Sequence, residues 1–160
     1  RIVLNSILHN NISVFRDICK KIGKANIIVC IDYIANQKKL IDVFVDRGRN
    51  KINISTKQIV NLLKEENVGE VMFQSIEKDG MGQGYDINFI SEIRKLYHQS
   101  IIILGGVGKW DHMAIALKNN LDAVAAANIF HYIDQSVFQA KKYLIKKGYN
   151  VRDYNNSKDI

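Results

Sequence analysis

Short apolar runs alternate along the chain with segments whose apolar residues recur every three or four positions. Each run is apolar on both faces, which is typical of strands buried in a parallel sheet. The runs cover residues 2–4, 27–31, 71–73, 101–104 and 123–126. The last run is rich in alanine and, taken alone, also fits a helix.

The segments between these runs carry the signals that begin and end helices. The predicted N-terminal caps are Ser55 with Gln58 (a capping box), Asp86, Asp111 and Ser136 with Gln139, and the predicted ends lie at Gly23 and Gly148. Residues 43–45, near Gly48, predict a small additional strand or hairpin. A βα unit repeated five times indicates the α/β class with a parallel sheet. The pattern does not distinguish a small doubly wound domain from the last five-eighths of a (β/α)8 barrel of about 250 residues.

Charge and composition exclude several functions. The net charge of +7 is spread along the chain without the aromatic-interleaved basic motif of a nucleic-acid module, so nucleic-acid binding is the least favoured function. Phosphorylated small molecules suit a basic protein equally well. No apolar run has the length of a membrane span and no signal peptide is visible, so we expect a cytoplasmic protein without a membrane partner. Cys19 and Cys30 form no metal or redox motif, and we predict neither a metal nor a cofactor.

Polar residues and glycines follow the predicted strands, where both architectures gather their chemistry. They are Asn5, Ser6, Asp32, Gln74, Asp79, Gly80, Gly105, Gly106 and Asn128. A carboxylate such as Asp32 at the tip of an apolar strand is desolvated and suits proton transfer, but a helix cap or a loop salt bridge fits its spacing equally well. The glycine-rich turn at 105–108 fits an anion site or simply a tight turn, and its place after the penultimate strand favours phosphate.

Four motifs in order then resemble the cyclase subunit of imidazole glycerol phosphate synthase. Residues 74–80 (QSIEKDG), followed by GYD at 84–86, are similar to that family's Thr-Ser-Ile-Asp-Arg-Asp-Gly…Gly-Tyr-Asp motif. Residues 105–108 (GGVG) resemble its Gly-Gly-Ala-Gly phosphate turn, and residues 126–131 (AANIFH) its Ala-Ala-Ser-Val-Phe-His ending. Residues 146–152 resemble its last turn.

The resemblance implies a barrel and a reaction. A glutaminase partner releases ammonia, which passes through the barrel and reacts with a ribonucleotide bearing two phosphates, giving imidazole glycerol phosphate and an aminoimidazole carboxamide ribonucleotide. Asp32 corresponds to one of two acid–base aspartates, and the other lies in a first strand without a counterpart here. Asn5 and Ser6 correspond to one phosphate site, and Arg1 and Glu70 correspond to a charged gate on the ammonia path. The residues that correspond to the other substrate and phosphate contacts are Gln74, Asp79, Gly80, Gly105, Gly106, Ala127 and Asn128.

Departures from the motifs leave a second function open. The family's Thr is Gln74, its Asp is Glu77, the Ser before the glycine turn is Leu104 and the Ser after the last strand is Asn128. A lost buried hydrogen bond costs about 1–3 kcal/mol, which is enough to change substrate preference. The alternative is a paralogue, of the type found in surface-polysaccharide gene clusters, that binds a glutaminase and passes ammonia to a sugar amidotransferase.

The resemblance also sets the expected domain organisation. The first predicted strand corresponds to the family's fourth, so we expect residues 1–152 to form the C-terminal part of one (β/α)8 barrel, strands four to eight, followed by a polar tail at 153–160. Such a piece exposes an apolar sheet edge and lacks the second aspartate, so we expect self-association or marginal stability and no activity in isolation.

Overall fold

The computed structural model describes residues 1–36, 41–131 and 136–152. Within them lies one sheet of seven strands. The strands are β1 (Ile2–Asn5), β2 (Ile27–Ala35), β3 (Ile41–Val45), β4 (Asn50–Ile52), β5 (Glu70–Ser75), β6 (Ser100–Leu104) and β7 (Ala123–Val124). The helices are α1 (Ile7–Asn10), α2 (Ile12–Ile22), α3 (Thr56–Glu65), α4 (Ile87–Leu96), α5 (Trp110–Lys118) and α6 (Val137–Lys146), with short 3₁₀ turns at Lys24–Asn26 and Asn128–His131.

The parallel part of the sheet follows the order of the chain. β1 pairs with β2, β2 with β5, β5 with β6 and β6 with β7, all in parallel. The predicted extra strand is confirmed as an antiparallel hairpin, in which β3 pairs with the second half of β2 and β4 pairs with β3. The alanine-rich run forms a strand as predicted, but it is only two residues long.

The helices pack on one face of the sheet. Alternate strand residues such as Val29, Ile31, Phe73 and Ile103 join the side chains of the helices in one hydrophobic core. The strand order also lacks the reversal that a doubly wound sheet requires. The α/β class is therefore confirmed, and the architecture is compatible with part of a (β/α)8 barrel; its assignment to strands four to eight stays a prediction. The polar tail at 153–160 lies outside the described residues.

Most predicted helix caps are confirmed, and one is wrong. Ser55 and Gln58 form the full capping box of α3, and the Asp86 carboxylate accepts the Phe89 N–H at the start of α4. Asp111 does not cap α5, because the backbone is extended at Lys109 and the helix already begins at residue 110. The Asp111 carboxylate lies in the first turn, where it accepts a hydrogen bond from the hydroxyl of Tyr143.

Candidate active site at the carboxyl ends of the strands

The face of the sheet opposite the helices carries polar side chains at the carboxyl ends of its strands. Asn5 of β1 is the register partner of Cys30 in β2. Asp32 is the partner of Gln74 in β5, which in turn pairs with Leu104 in β6. Because neighbours in a parallel register point to the same side, these five side chains share one face. The structure thus brings together three predicted site residues, Asn5, Asp32 and Gln74. The other two side chains on this face, Cys30 and Leu104, are less polar.

Asp32 is the buried acid of this cluster, with 4% of its surface exposed. Its Oδ2 accepts a hydrogen bond from Asn5 Nδ2 at 2.9 Å, and the thiol of Cys30 lies 3.9 Å from Oδ1. Within the described part of the chain it neither caps a helix nor pairs with a cation. The two structural alternatives that its spacing left open therefore do not apply among these residues, and a buried carboxylate held by neutral donors remains.

Cys30 is a neighbour of Asp32 that its sequence context did not reveal. The Cys30 thiol is 3.8 Å from Gln74 Oε1 as well as near Asp32. Burial, followed by the charge of the Asp32 carboxylate and the hydrogen bond to it, raises the pKa of Cys30 to about 12. The thiol is therefore a neutral, weakly polar wall of the site.

The glycine turn at 105–108 is packed against the loop that follows β5. Gly105 and Gly106 have φ angles of 103° and 98°, in the region that favours glycine. A Cβ at Gly106 would lie 2.3 Å from the carbonyl oxygen of Gly84, and one at Gly108 would lie 2.4 Å from that of Gly82. The Gly84 N–H donates to the Gly106 carbonyl at 2.6 Å. The contact between the two loops therefore requires glycine at 106 and 108, independently of any ligand that the turn binds.

The same turn presents unused backbone donors. Among the described residues, the N–H groups of Gly106 and Val107 donate to no protein acceptor. The N–H of Gly108 donates to Nδ1 of His112 at 3.2 Å, so this histidine of α5 supports the turn. Consecutive free N–H groups in glycine-rich backbone suit an oxyanion, and phosphate is the common one.

Two further contacts join this rim to the last strand. Asn128 Nδ2 lies 3.5 Å from the carbonyl oxygen of Gly80. The hydroxyl of Tyr85, from the Gly-Tyr-Asp motif, donates to the carbonyl of Ala125 at 2.8 Å, and burial raises its pKa above the ordinary value. The structure therefore brings Gly80, Gly105, Gly106 and Asn128 to one rim, formed by the loops after β5, β6 and β7; Asp79 and Ala127 are exposed on the same loops.

Charged residues gather at the opposite, amino end of the sheet. Nη1 of Arg1 lies 2.6 Å from Oε2 of Glu70, and the hydroxyl of Ser100 lies 3.3 Å from Oε1 of the same carboxylate. The Arg1 side chain is 60% exposed and the Glu70 side chain 17%. Arg1 and Glu70 thus form an ion pair, with Ser100 as a third member that the sequence did not indicate; their correspondence to a gate stays a prediction.

Comparison with known proteins now defines the family. A family model described as Histidine biosynthesis protein matches residues 1–135. The chain belongs to this family. Imidazole glycerol phosphate synthase subunit HisF of Pyrococcus furiosus is 32% identical over 152 residues, and that of Thermotoga sp. (strain RQ2) is 32% identical over 156 residues. The subunit from Clostridium botulinum (strain Kyoto / Type A2) is 31% identical over 156 residues. The resemblance to the cyclase subunit is confirmed.

The match covers most of this chain and a smaller share of its relatives. Each of these three alignments spans 95% of the chain, but only 60% or 61% of the relative. Within residues 1–36, 41–131 and 136–152, no helix is long and apolar enough to cross a bilayer. The same residues bring together no group of three histidine, cysteine or acidic side chains that would hold a metal ion.

Proposed function

We propose that this member of the histidine biosynthesis family contributes the acid–base and phosphate-binding face of an ammonia-dependent cyclase. The reaction joins ammonia to an open-chain aminoimidazole ribonucleotide with two phosphates and yields imidazole glycerol phosphate and an aminoimidazole carboxamide ribonucleotide. The observation that carries the proposal is Asp32, a buried carboxylate held at one oxygen by Asn5 on the open face of the sheet.

Asp32 acts in this proposal as a general acid and base. Ring closure and elimination require protons to move on both sides of the substrate, which calls for paired carboxylates. Asp32 supplies one of them. By the family resemblance, the second belongs to a strand with no counterpart among these 160 residues. Among the described residues, the donors around Asp32 are neutral, and they hold its geometry without pairing it with a cation.

A substrate with two phosphates needs two anion sites at opposite rims. Asn5 ends β1 and Ser6 follows it, at one end of the parallel part of the sheet. Gly80, Gly106 and Asn128 lie on the loops after β5, β6 and β7, toward the other end. The free N–H groups of the glycine turn support phosphate binding there, because they offer fixed donors to an anion.

Ammonia enters, in this proposal, at the amino end of the strands. The Arg1–Glu70 ion pair lies at that end, and the face between it and Asp32 carries the apolar side chains of Ile28, Met72 and Ile102. Apolar walls that exclude water keep ammonia neutral and unhydrated during transfer. The relatives are named as subunits of a synthase, which supports a glutaminase as the partner that supplies the ammonia.

The second candidate is the ammonia-channelling paralogue, and the residues beside Asp32 favour it. Gln74 and Leu104 replace a threonine and a serine of the family motifs on the same face as Asp32. A leucine at the site floor removes a hydroxyl and adds bulk, while the Arg1–Glu70 pair at the other end is retained. Such a protein would conduct ammonia without cyclising the ribonucleotide.

Product formation from the aminoimidazole ribonucleotide, with an ammonium salt as the nitrogen source, separates the two candidates. The intact protein, meaning a chain that also carries the strand with the second aspartate, is compared with a Gln74→Thr/Leu104→Ser double variant, which restores the family's hydroxyls. Turnover by the unmodified protein supports the cyclase. If only the double variant turns over, or neither does while a glutaminase is still bound and stimulated, the channelling function is the correct one.

A further inference from the structure

Hydrogen bonds join the turn of the β3–β4 hairpin to the segment that follows β1. The backbone N–H of Asp46, at the turn, donates to Oγ of Ser6 at 3.3 Å. The Asp46 carboxylate accepts a hydrogen bond from Asn10 Nδ2 at 3.1 Å and another from Asn50 Nδ2 at 2.8 Å. Asn10 ends α1, whereas Asn50 begins β4. Asp46 therefore connects the hairpin to the β1–α1 segment at two points.

A chain of hydrogen bonds continues from this turn to Asp32. The Ser6 hydroxyl donates to Oδ1 of Asn5 at 3.3 Å, and Nδ2 of Asn5 donates to Oδ2 of Asp32 at 2.9 Å. One hydroxyl has one proton and two lone pairs, so Ser6 accepts from Asp46 and donates to Asn5 at the same time. Both ends of the Asn5 amide are thus engaged, although the residue is exposed.

The backbone at Ser6 and at the hairpin turn is in an uncommon conformation. Ser6 has a φ of 58°, and Asp46 and Arg47 have φ angles of 53° and 62°. Residues other than glycine adopt left-handed backbone mainly where surrounding contacts hold them there. Ser6 precedes α1, yet its side chain makes no capping bond. Its hydroxyl serves the hairpin and Asn5 instead.

We propose that the β3–β4 hairpin positions the Asp32 carboxylate, with Asp46 and Ser6 fixing the orientation of Asn5. The inference rests on the acid–base function proposed for Asp32. With Oδ2 held by Asn5, Oδ1 is the oxygen that exchanges a proton with the substrate, since its neighbour is the weakly donating thiol of Cys30. Asp46 and Ser6 are positioning residues that act through Asn5.

Two variants of the intact protein test this link, one by breaking the hydrogen-bond path at Ser6 and the other by releasing the turn whose backbone N–H reaches Ser6. Ser6→Gly removes the hydroxyl and tolerates the left-handed backbone, and Asp46→Ala removes both carboxylate contacts of the turn. Asp42→Asn is the matched control, because Asp42 is a hairpin carboxylate that pairs with Lys51 and stands outside the chain. We expect kcat to fall on the order of tenfold in the first two variants, since small misplacements of a reacting group slow chemistry strongly. KM should stay within about twofold in Asp46→Ala, which leaves the residues of the proposed phosphate site unchanged.

The decisive kinetic test compares a double variant with its single variants. Once Asn5→Ala has removed the link to Asp32, adding Ser6→Gly should cause no further fall in kcat, because coupled residues are not additive. A Ser6→Gly variant whose KM rises while kcat is unchanged would show that Ser6 only contacts phosphate, and would overturn the inference. So would an Asp46→Ala variant with the kcat of the Asp42→Asn control.

A measurement without turnover keeps this inference separate from the proposed function. The side-chain amide protons of Asn5, followed by NMR, should be shifted and slow to exchange in the unmodified protein and in Asp42→Asn. They should resemble a free amide in Ser6→Gly and Asp46→Ala. Unchanged Asn5 amide signals in both variants overturn the hairpin's positioning role, whereas absent turnover with the expected NMR changes counts only against the cyclase function.

Discussion

Replacement of Gly106 by alanine tests the contact between the two glycine loops. The φ of 98° at Gly106 disfavours any side chain by about 1–2 kcal/mol. The added Cβ would also lie 2.3 Å from the Gly84 carbonyl oxygen and 3.2 Å from Cβ of Lys78, so the loops must separate. Overpacking of this kind costs ~1–3 kcal/mol, and loss of the Gly84–Gly106 hydrogen bond adds ~1 kcal/mol. The expected loss of stability is about 3–6 kcal/mol.

Gly80→Ala is the matched control for this variant. Gly80 also has a positive φ, 77°, but a Cβ there would meet nothing within 4 Å. Its substitution should therefore cost only the backbone preference, about 1–2 kcal/mol. The effect of a methyl group on the unfolded chain is the same in both variants and cancels. Equilibrium urea unfolding of the intact protein, followed by circular dichroism, measures both. Equal losses of stability would refute the loop contact.

Three further predictions concern groups outside the loops. Glu70→Gln should change the free energy of unfolding by less than ~1 kcal/mol, because its partner is largely exposed, but should lower glutamine-dependent turnover relative to ammonium-dependent turnover; an unchanged ratio would contradict the gate. Cys19 and Cys30 are buried and burial raises the pKa of both thiols, so a thiol reagent at pH 8 should label them only after unfolding; rapid labelling of the folded protein would contradict their burial. The hydrogen bond from Arg16 lowers the pKa of Glu66, so this carboxylate stabilises the fold above pH about 4.5, its ordinary value, and the stability is lost as the pH falls through the lower folded value. In Glu66→Gln, the free energy of unfolding should depend less on pH below about 4.5 than in the unmodified protein. An unchanged pH dependence would mean that other groups cause it.

Local patterns predicted the elements of the fold well because their causes are local. The strands follow from apolar runs, and the cap at Ser55 follows from residues three positions apart. Asp111 shows the limit of such reasoning, since an acidic residue before a helical repeat fits the N-terminal cap and the first turn alike. The choice between a barrel and a doubly wound sheet depends on which face the helices cover, and periodicity contains no information about that.

The candidate site was predictable where motifs mark it and not where distant segments meet. Asp32 was found from its place at the end of an apolar run, although β2 continues to Ala35 through its pairing with β3. The glycine turn was found from its place after a strand. Cys30 was missed as a neighbour of Asp32 because a cysteine in an apolar run is typical of any core. The contact of Gly106 with Gly84, and the link from Asp46 through Ser6, join loops far apart in sequence, so no local signal reveals them.

Ammonium-dependent turnover of the aminoimidazole ribonucleotide by the intact protein, beside its Asp32→Asn variant, tests the central claim most directly. Asp17→Asn is the control, because Asp17 is an exposed carboxylate on α2. We predict turnover by the unmodified protein and by Asp17→Asn, and its loss in Asp32→Asn by at least about 100-fold, the usual contribution of a general acid or base. Equal turnover in Asp32→Asn and the control would contradict the role of Asp32.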